Sequence, residues 1–148
     1  MSYAMSQVAT KLGISKDTIR YYEIEGLLPP IDRDSSGRRV FSESDVEWIF
    51  LIRCLRDTDM PINRIKRYVS LLMAGGGESI PGRRDILKEH EGILLRKIAL
   101  YQGLLELIRQ KLEFYEGVLK ANDPEAMRCM DYITEWDSFR SSLGGLLK

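Results

Sequence analysis

The sequence has few of the residues that build metal centres and disulfide frameworks. Its 148 residues include two cysteines, Cys54 and Cys129, and one histidine, His90. Two distant cysteines do not form a disulfide framework and are typical of a reducing cytoplasm. A soft-metal site needs two to four ligands and an iron–sulfur cluster needs four cysteines. We therefore expect no metal site and no cofactor within one chain, although a Cys/His site shared between two chains stays open.

The sequence also lacks long hydrophobic runs and net charge. No apolar run approaches the roughly 18 residues of a membrane span, and the N-terminus has no signal-peptide apolar region. We expect a cytoplasmic protein without membrane association. Lys plus Arg and Asp plus Glu both number 22, so the total gives no indication of nucleic-acid binding. Positive charge is local instead: residues 33–41 hold three arginines against one acid, and residues 64–67 read Arg-Ile-Lys-Arg. Such clusters can form an electrostatic footprint for a nucleic acid.

Signatures of catalysis are missing. The glycine run at residues 75–77 is not followed by the Lys-Ser/Thr of a phosphate-binding loop. We find no metal-ligand pair and no plausible Ser/His/Asp set. The sequence therefore predicts that the protein is not an enzyme, and the glycines are interpreted as a flexible joint.

Two short helices with a tight turn are predicted near the N-terminus. Apolar residues at helical spacing predict a helix over residues 4–12, which Gly13 ends. Ser15 is a good N-cap for a second helix that continues to about Glu25, before Gly26. The pair is a helix-turn-helix candidate, although many helical proteins contain such pairs.

A hairpin and two further helices follow. Pro29-Pro30 stops the second helix, and two extended pieces, 31–33 and 38–41, flank Asp-Ser-Ser-Gly. The Ser-x-x-Asp pattern at Ser42 predicts a third helix through about Arg56. Pro61 suits the first position of a fourth helix, 61–73.

A long helix with a heptad pattern is predicted over residues 83–121. Its apolar residues follow alternating steps of three and four, interrupted by the polar Glu91, which is the pattern of a coiled coil. At about 1.5 Å per residue the helix exceeds 50 Å, and the sequence offers no second long amphipathic helix. Pairing with another copy of the chain is favoured over an intramolecular helical hairpin. The predicted seam comprises Leu87, Leu94, Ile98, Tyr101, Leu105, Ile108, Leu112, Tyr115 and Leu119.

These segments together resemble a known family. MSQVATKLGISKDTIRYYEIEGLLPP, GRRVF, SESDVEWI and LRDTDMPINRIKRYVS resemble the MerR family of bacterial transcription regulators. The resemblance is close over residues 2–74 and extends along the long helix to about 121. It implies a mainly α fold: a winged helix-turn-helix DNA-binding domain, 1–74, with 31–41 as first wing and the turn before Pro61 as second. A joint, 75–82, a coiled-coil dimerisation helix, 83–121, and a short tail, 122–148, complete the expected organisation.

The expected DNA contacts lie on the second helix and both wings. Residues at the N-terminus of a recognition helix meet base edges or phosphates, and arginine suits a phosphate or a guanine edge. By resemblance Tyr21 reaches a phosphate, Tyr22 packs inward and Arg39 binds phosphate. The family usually has Gly-Tyr-Arg-x-Tyr where this chain has Gly37-Arg38-Arg39-Val40-Phe41, so two aromatic hydroxyls are lost and one positive charge is gained. The predicted DNA-binding residues are Lys16, Asp17, Thr18, Arg20, Tyr21, Arg38, Arg39, Arg64, Lys66 and Arg67.

Dimerisation has a consequence for the DNA. The two winged helix-turn-helix domains of a dimer, called heads below, are related by a two-fold axis. This symmetry predicts a pseudo-palindromic operator in double-stranded DNA. The resemblance further implies a promoter with over-long spacing, which the activated dimer bends and untwists so that RNA polymerase can use it.

The signal is expected to be an electrophile or another small molecule. A branch of the family that responds to aldehydes has a cysteine in the third helix and a short tail, as this chain has with Cys54. Arg53 and Arg56 would favour the thiolate and Asp57 would oppose it, while a buried and inert cysteine is the alternative. A second candidate is a ligand pocket at the tail, lined by Met130, Tyr132, Trp136 and Phe139. A coiled-coil adaptor without DNA binding is the alternative from another class.

Overall fold

The computed structural model describes residues 1–122, and the fold over this part of the chain is mainly helical, as predicted. Five helices, three short strands and one 3₁₀ turn make up the described residues. In chain order they are β1 Ser2–Ala4, α1 Met5–Leu12, α2 Lys16–Ile24, β2 Asp32–Arg33, β3 Arg39–Ser42, α3 Glu43–Asp57, α4 Ile62–Ala74, the 3₁₀ turn Gly77–Ser79 and α5 Ile80–Ala121.

The helix ends follow the local signals in the sequence. Gly13 adopts a left-handed conformation with φ of 62° after α1, which a residue with a side chain rarely adopts. The Ser15 hydroxyl accepts a hydrogen bond from the Thr18 backbone N–H at 2.9 Å and caps α2. At α3 the Ser42 hydroxyl accepts from the Asp45 N–H at 3.1 Å, and the Asp45 carboxylate accepts from the Ser42 N–H at 2.8 Å. Each of these caps satisfies backbone N–H or C=O groups that a helix end leaves free.

The strands form one antiparallel sheet in the order β1-β3-β2. The pairing of β2 with β3 is the predicted hairpin, closed by Asp34, whose carboxylate accepts the N–H groups of Ser36 and Arg38 at 2.9 Å. These hydrogen bonds, led by the one from Arg38, hold the pKa of Asp34 below its ordinary value. Strand β1 is an addition that the sequence did not predict, and it pairs Ser2 with Ser42. Both edges of the wing strand β3 are therefore occupied.

The hydrophobic core lies between the sheet and the helices of residues 1–90. Trp48 packs at its margin, where its indole N–H donates to the Leu27 carbonyl at 2.8 Å. The largest fully buried side chains come from α1 to α4, the wing strand and the loops between them: Val8, Ile19, Leu27, Phe41, Ile49, Ile52, Met60, Ile65 and Val69. Because every one of these segments contributes to one core, the helix-turn-helix and its wings form a single packed unit.

The contacts divide the chain into two compact units, Met1–His90 and the residues from Glu91 onward. Helix α5 begins at Ile80, three residues before the predicted start at 83. Pro81 lies in its first turn, where the missing N–H costs nothing, so this proline does not exclude a helix. Before it, Gly75 and Gly76 have φ of 66° and 74°.

Membrane spans and metal clusters are absent from the part of the chain that the structure describes. No helix within residues 1–122 has the length and hydropathy to cross a bilayer. Among the same residues, no three His, Cys, Asp or Glu side chains gather in a group that could hold a metal ion. The predicted tail pocket and Cys129 lie outside the described residues.

Candidate nucleic-acid interface

The N-terminal half of α2 presents most of the predicted contact residues on one surface. Lys16, Asp17 and Arg20 are exposed, whereas Ile19 is 1% exposed and anchors the opposite side of the helix in the core. Arg20 Nη1 lies 2.6 Å from Asp17 Oδ1. Thr18 is half-buried, and its hydroxyl lies 2.8 Å from the Ser15 hydroxyl. The helix therefore offers two positive side chains and one carboxylate beside its own N-terminus.

The adjacent tyrosines of α2 have opposite environments. Tyr21 is 45% exposed, while Tyr22 is 4% exposed and belongs to the core. Their ring centroids are 6.2 Å apart with an interplanar angle of 51°. Burial raises the pKa of Tyr22 above its ordinary value, because the ionised phenolate would lose hydration. Only Tyr21 is placed to meet a partner.

In the first wing, Arg38 and Arg39 differ in direction and burial. Side chains alternate along a strand, so Arg39 shares a face with Phe41, which is fully buried. Arg39 consequently points towards α2, and its Nε donates to Glu23 Oε2 at 2.7 Å. Arg38 is 79% exposed, with Nε 3.4 Å from Asp34 Oδ2. A third arginine, Arg33, donates from Nη1 to the Gly37 carbonyl at 2.9 Å and holds the turn of the wing.

The second basic cluster lies on α4. Ile65 is fully buried. Its neighbours in the chain are more accessible: Arg64 is half-buried, and Lys66 and Arg67 are exposed. Lys66 Nζ lies 2.5 Å from Glu25 Oε2, at the end of α2.

Arg64 of this cluster forms an ion pair with Glu89 of α5. The hydrogen bond from Arg64 holds the pKa of Glu89 below its ordinary value.

Five of the seven basic residues predicted to contact DNA therefore have a carboxylate partner in the free protein. The acids Glu23, Glu25 and Glu89 were missed by sequence reasoning. Their partners are distant in sequence, by 16 residues for Glu23 and 25 for Glu89, and no local pattern joins them. The first two acids link the end of α2 to both basic clusters, through Arg39 on β3 and Lys66 on α4.

The thiol of Cys54 lies on α3 at an intermediate exposure. Phe50, one turn earlier, is 53% exposed, so neither side chain is enclosed by the core. The two arginines expected to act on the thiol have other partners. Arg53 donates to the Leu12 carbonyl and to Asp57, and Arg56 donates to the Met60 carbonyl at 3.0 Å.

A hydrogen-bond chain connects the end of α3 to α5. The Thr58 hydroxyl donates to the Leu55 carbonyl at 2.9 Å, and His90 Nε2 lies 2.8 Å from the same hydroxyl. Because the hydroxyl has only one proton to give, His90 Nε2–H is the donor of the second bond. The ring is 4% exposed, and its Nδ1 has no partner within residues 1–122.

Comparisons with known proteins place this surface in context. The family model described as MerR HTH family regulatory protein matches residues 3–72. An HTH-type transcriptional regulator from Haemophilus influenzae is 35% identical over 116 residues, which cover 78% of this chain and 85% of that protein. The regulator AdhR from Bacillus subtilis is 35% identical over 91 residues, 62% of this chain and 64% of its own length.

Two solved structures share the fold. HiNmlR, a MerR family regulator lacking the sensor domain and crystallised bound to promoter DNA, aligns with a TM-score of 0.78 at 32% identity, covering 87% of this chain and 97% of that one. A MerR family regulator from Listeria monocytogenes aligns with a TM-score of 0.76 at 32% identity, covering 85% and 95%. These proteins are transcriptional regulators rather than enzymes. The chain belongs to the MerR family of helix-turn-helix transcriptional regulators.

Proposed function

We propose that two copies of this chain pair through residues 83–121 and bind a pseudo-palindromic promoter operator in double-stranded DNA. The observation that carries DNA binding is the likeness, at 32% identity and a TM-score of 0.78, to a MerR regulator crystallised on promoter DNA. The exposed cations of α2 and the two basic clusters supply the electrostatic part. Recognition helix α2 enters the major groove of each half-site, and the clusters meet the flanking phosphates.

The exposed seam of α5 supports dimerisation. Eight of the nine predicted seam residues are between 39% and 68% exposed, and Leu94 is half-buried. Within residues 1–122 the next longest helix has 15 residues, too short to cover the seam. A long apolar stripe at heptad spacing is stabilised by burial against a second such stripe. A second copy of the chain provides one.

Dimerisation is tested by sedimentation velocity at micromolar concentration. The Ile108→Asp variant places a charge in the seam and is expected to sediment as a monomer, because an unpaired buried carboxylate is costly. Gln102→Asp adds the same charge at an exposed position outside the predicted seam, and this control should remain dimeric. A wild-type monomer, or an Ile108→Asp variant as dimeric as its control, would contradict the proposal.

DNA binding is tested by fluorescence anisotropy with a duplex selected from a random-sequence pool. Lys16→Ala and Arg38→Ala should each reduce the salt slope of binding, by about 0.9 for every phosphate that the variant no longer neutralises. Glu47→Gln, an exposed acid on α3, is the charge control. If the wild-type protein enriches no duplex at low salt, the chain is not a DNA-binding regulator, and the adaptor alternative takes its place.

Promoter distortion is the mechanism that we infer for regulation. The dimer bends and untwists the operator so that RNA polymerase can use its promoter elements, at a deformation cost of about 1–6 kcal/mol. A modest change between the two heads can therefore switch transcription. In vitro transcription with purified polymerase tests this inference: inserting or deleting base pairs between the promoter elements should change or abolish the response to the protein. A response independent of spacing would exclude distortion.

We further propose that the signal is an electrophile such as an aldehyde, sensed in the cytoplasm by Cys54. Its intermediate exposure and the exposed neighbour Phe50 support access from solvent. The thiol adds across the carbonyl: the sulfur bonds to the carbonyl carbon, the C=O π bond breaks, and the thiol proton ends on the oxygen. The product is a hemithioacetal, and no oxidant is required.

Mass spectrometry and transcription test the thiol. N-ethylmaleimide at limiting concentration should label Cys54 in the folded protein, and Cys54→Ser should abolish the transcriptional response to added aldehyde while retaining operator affinity. Cys129→Ser is the matched control and should respond normally. A normal aldehyde response in Cys54→Ser would exclude this residue as the sensor.

A further inference from the structure

The ion pair between Glu23 of α2 and Arg39 of β3 connects the recognition helix to the first wing. Arg39 Nε lies 2.7 Å from Glu23 Oε2, and the two side chains are 29% and 28% exposed. This pair is more protected from solvent than most of the others around the basic surface. Partial burial weakens screening by water and salt, so the geometry of the pair is better defined than that of a freely exposed one.

The pair uses only one edge of the guanidinium. Arginine has five N–H donors in a planar fork, and Glu23 accepts the one on Nε. Within residues 1–122 no hydrogen bond is formed by the terminal nitrogens Nη1 and Nη2 of Arg39. Those two nitrogens carry four donors in one plane, which is the arrangement that binds a phosphate group in a bidentate manner. The Glu23 carboxylate therefore orients the Arg39 guanidinium and leaves its terminal N–H groups available for a phosphate.

We propose that Glu23 is a positioning residue for DNA binding: it holds the Arg39 guanidinium with its terminal N–H groups aimed at a backbone phosphate. The proposal rests on the proposed DNA-binding function. It gives Glu23 a role that favours binding, although its negative charge lies close to the DNA phosphates. A freely rotating Arg39 would lose rotamer entropy on meeting the phosphate, and the Glu23 contact provides that ordering in advance.

The proposal and simple electrostatics predict opposite changes in DNA affinity when the Glu23 carboxylate is removed. Removing a negative charge near DNA should raise affinity if charge alone matters. If Glu23 positions Arg39, Glu23→Ala should instead weaken operator binding by about tenfold per half-site, the order expected for one charge-assisted hydrogen bond. The salt slope should fall by about 1.8 for a dimer, because each head then neutralises one phosphate fewer and each phosphate accounts for about 0.9.

Fluorescence anisotropy with a selected duplex, over a salt series, measures both quantities. Glu23→Gln keeps an acceptor for Arg39 Nε–H and should recover most of the affinity, whereas Glu47→Ala removes an exposed acid elsewhere and should change little. In the Arg39→Ala background, Glu23→Ala should cause no further loss of affinity. Thermal unfolding of each variant identifies any affinity change that comes from misfolding.

The outcomes separate the proposal from the function on which it rests. A wild-type protein that binds no duplex refutes the function itself. A wild-type protein that binds, with Glu23→Ala equal or tighter, refutes the positioning role alone. An additive loss of affinity in the Glu23→Ala, Arg39→Ala double variant also overturns it, because Glu23 would then act independently of Arg39.

Discussion

The two adjacent tyrosines of α2 give a testable prediction, because changing Tyr22 should lower stability whereas changing Tyr21 should lower DNA affinity. Tyr22 is 4% exposed within the core, and truncating a buried aromatic residue to alanine costs about 3–5 kcal/mol. Small domains are stable by about 5–15 kcal/mol. Tyr22→Ala should therefore remove a large share of the free energy of unfolding of residues 1–90.

Tyr21 should behave in the reverse manner. Its ring is 45% exposed, and surface substitutions away from special features usually change stability by about 0.5 kcal/mol or less. Its hydroxyl is available to a phosphate, and a hydrogen bond to a charged group contributes about 1.5–3 kcal/mol. Tyr21→Phe should then weaken operator binding by about tenfold or more per half-site, since 1.4 kcal/mol corresponds to a factor of ten.

Urea unfolding followed by circular dichroism measures the first effect, and anisotropy with the selected duplex measures the second. Each variant is the control for the other, because the residues are adjacent and of the same type. Equal losses of stability in Tyr21→Ala and Tyr22→Ala would refute the division of the pair into an outer and an inner member. Unchanged duplex affinity in Tyr21→Phe would refute the phosphate contact.

Two further predictions concern carboxylates. Hydrogen bonds from Tyr3 and Lys11 hold the pKa of Glu43 below its ordinary value of 4.5, so its contribution to stability is present above pH 4.5 and is lost as the pH falls through the lowered value. The melting-temperature difference between wild type and Glu43→Gln should therefore shrink in acid, and a constant difference would contradict this linkage. Glu89 engages Arg64, and we expect it to compete with DNA for this arginine. Glu89→Gln should raise affinity for any duplex by about threefold, and a gel-shift titration showing weaker binding would exclude the competition.

Local signals explain why much of the fold could be predicted from the sequence. The cap at Ser15, the capping box at Ser42 and the left-handed glycine at Gly13 act within a few residues of the helix ends that they define. Strand β1 was missed because three residues are too few for an alternation pattern, and its partner Ser42 is 40 positions away. Helix α5 starts three residues before the predicted position because the heptad pattern does not extend over its first turn, which contains Pro81.

The candidate surface was less predictable than the fold. Residue type and the family resemblance predict which cations contact DNA, but they give no information on what those cations contact in the free protein. The Glu23–Arg39 and Glu89–Arg64 pairs depend on tertiary packing, since the core sets the separation of the helices that carry them. Strand alternation could have shown that Arg39 shares the face of Phe41 and therefore differs from Arg38. That signal was present in the sequence.

The position of Cys54 on α3 has a consequence for how a chemical event could spread. The side chain of the preceding residue, Arg53, donates to the Leu12 carbonyl at the end of α1. The carbonyl of the following residue, Leu55, accepts from the Thr58 hydroxyl, which His90 of α5 also contacts. The two residues that flank Cys54 in the chain are thus connected to two different helices, α1 and α5. A change in the position of this part of α3 would therefore be passed to two other elements, the end of α1 and His90 of α5. The same stretch of α3 thus connects the helix-turn-helix, which we propose binds DNA, with the helix that we propose joins two copies of the chain.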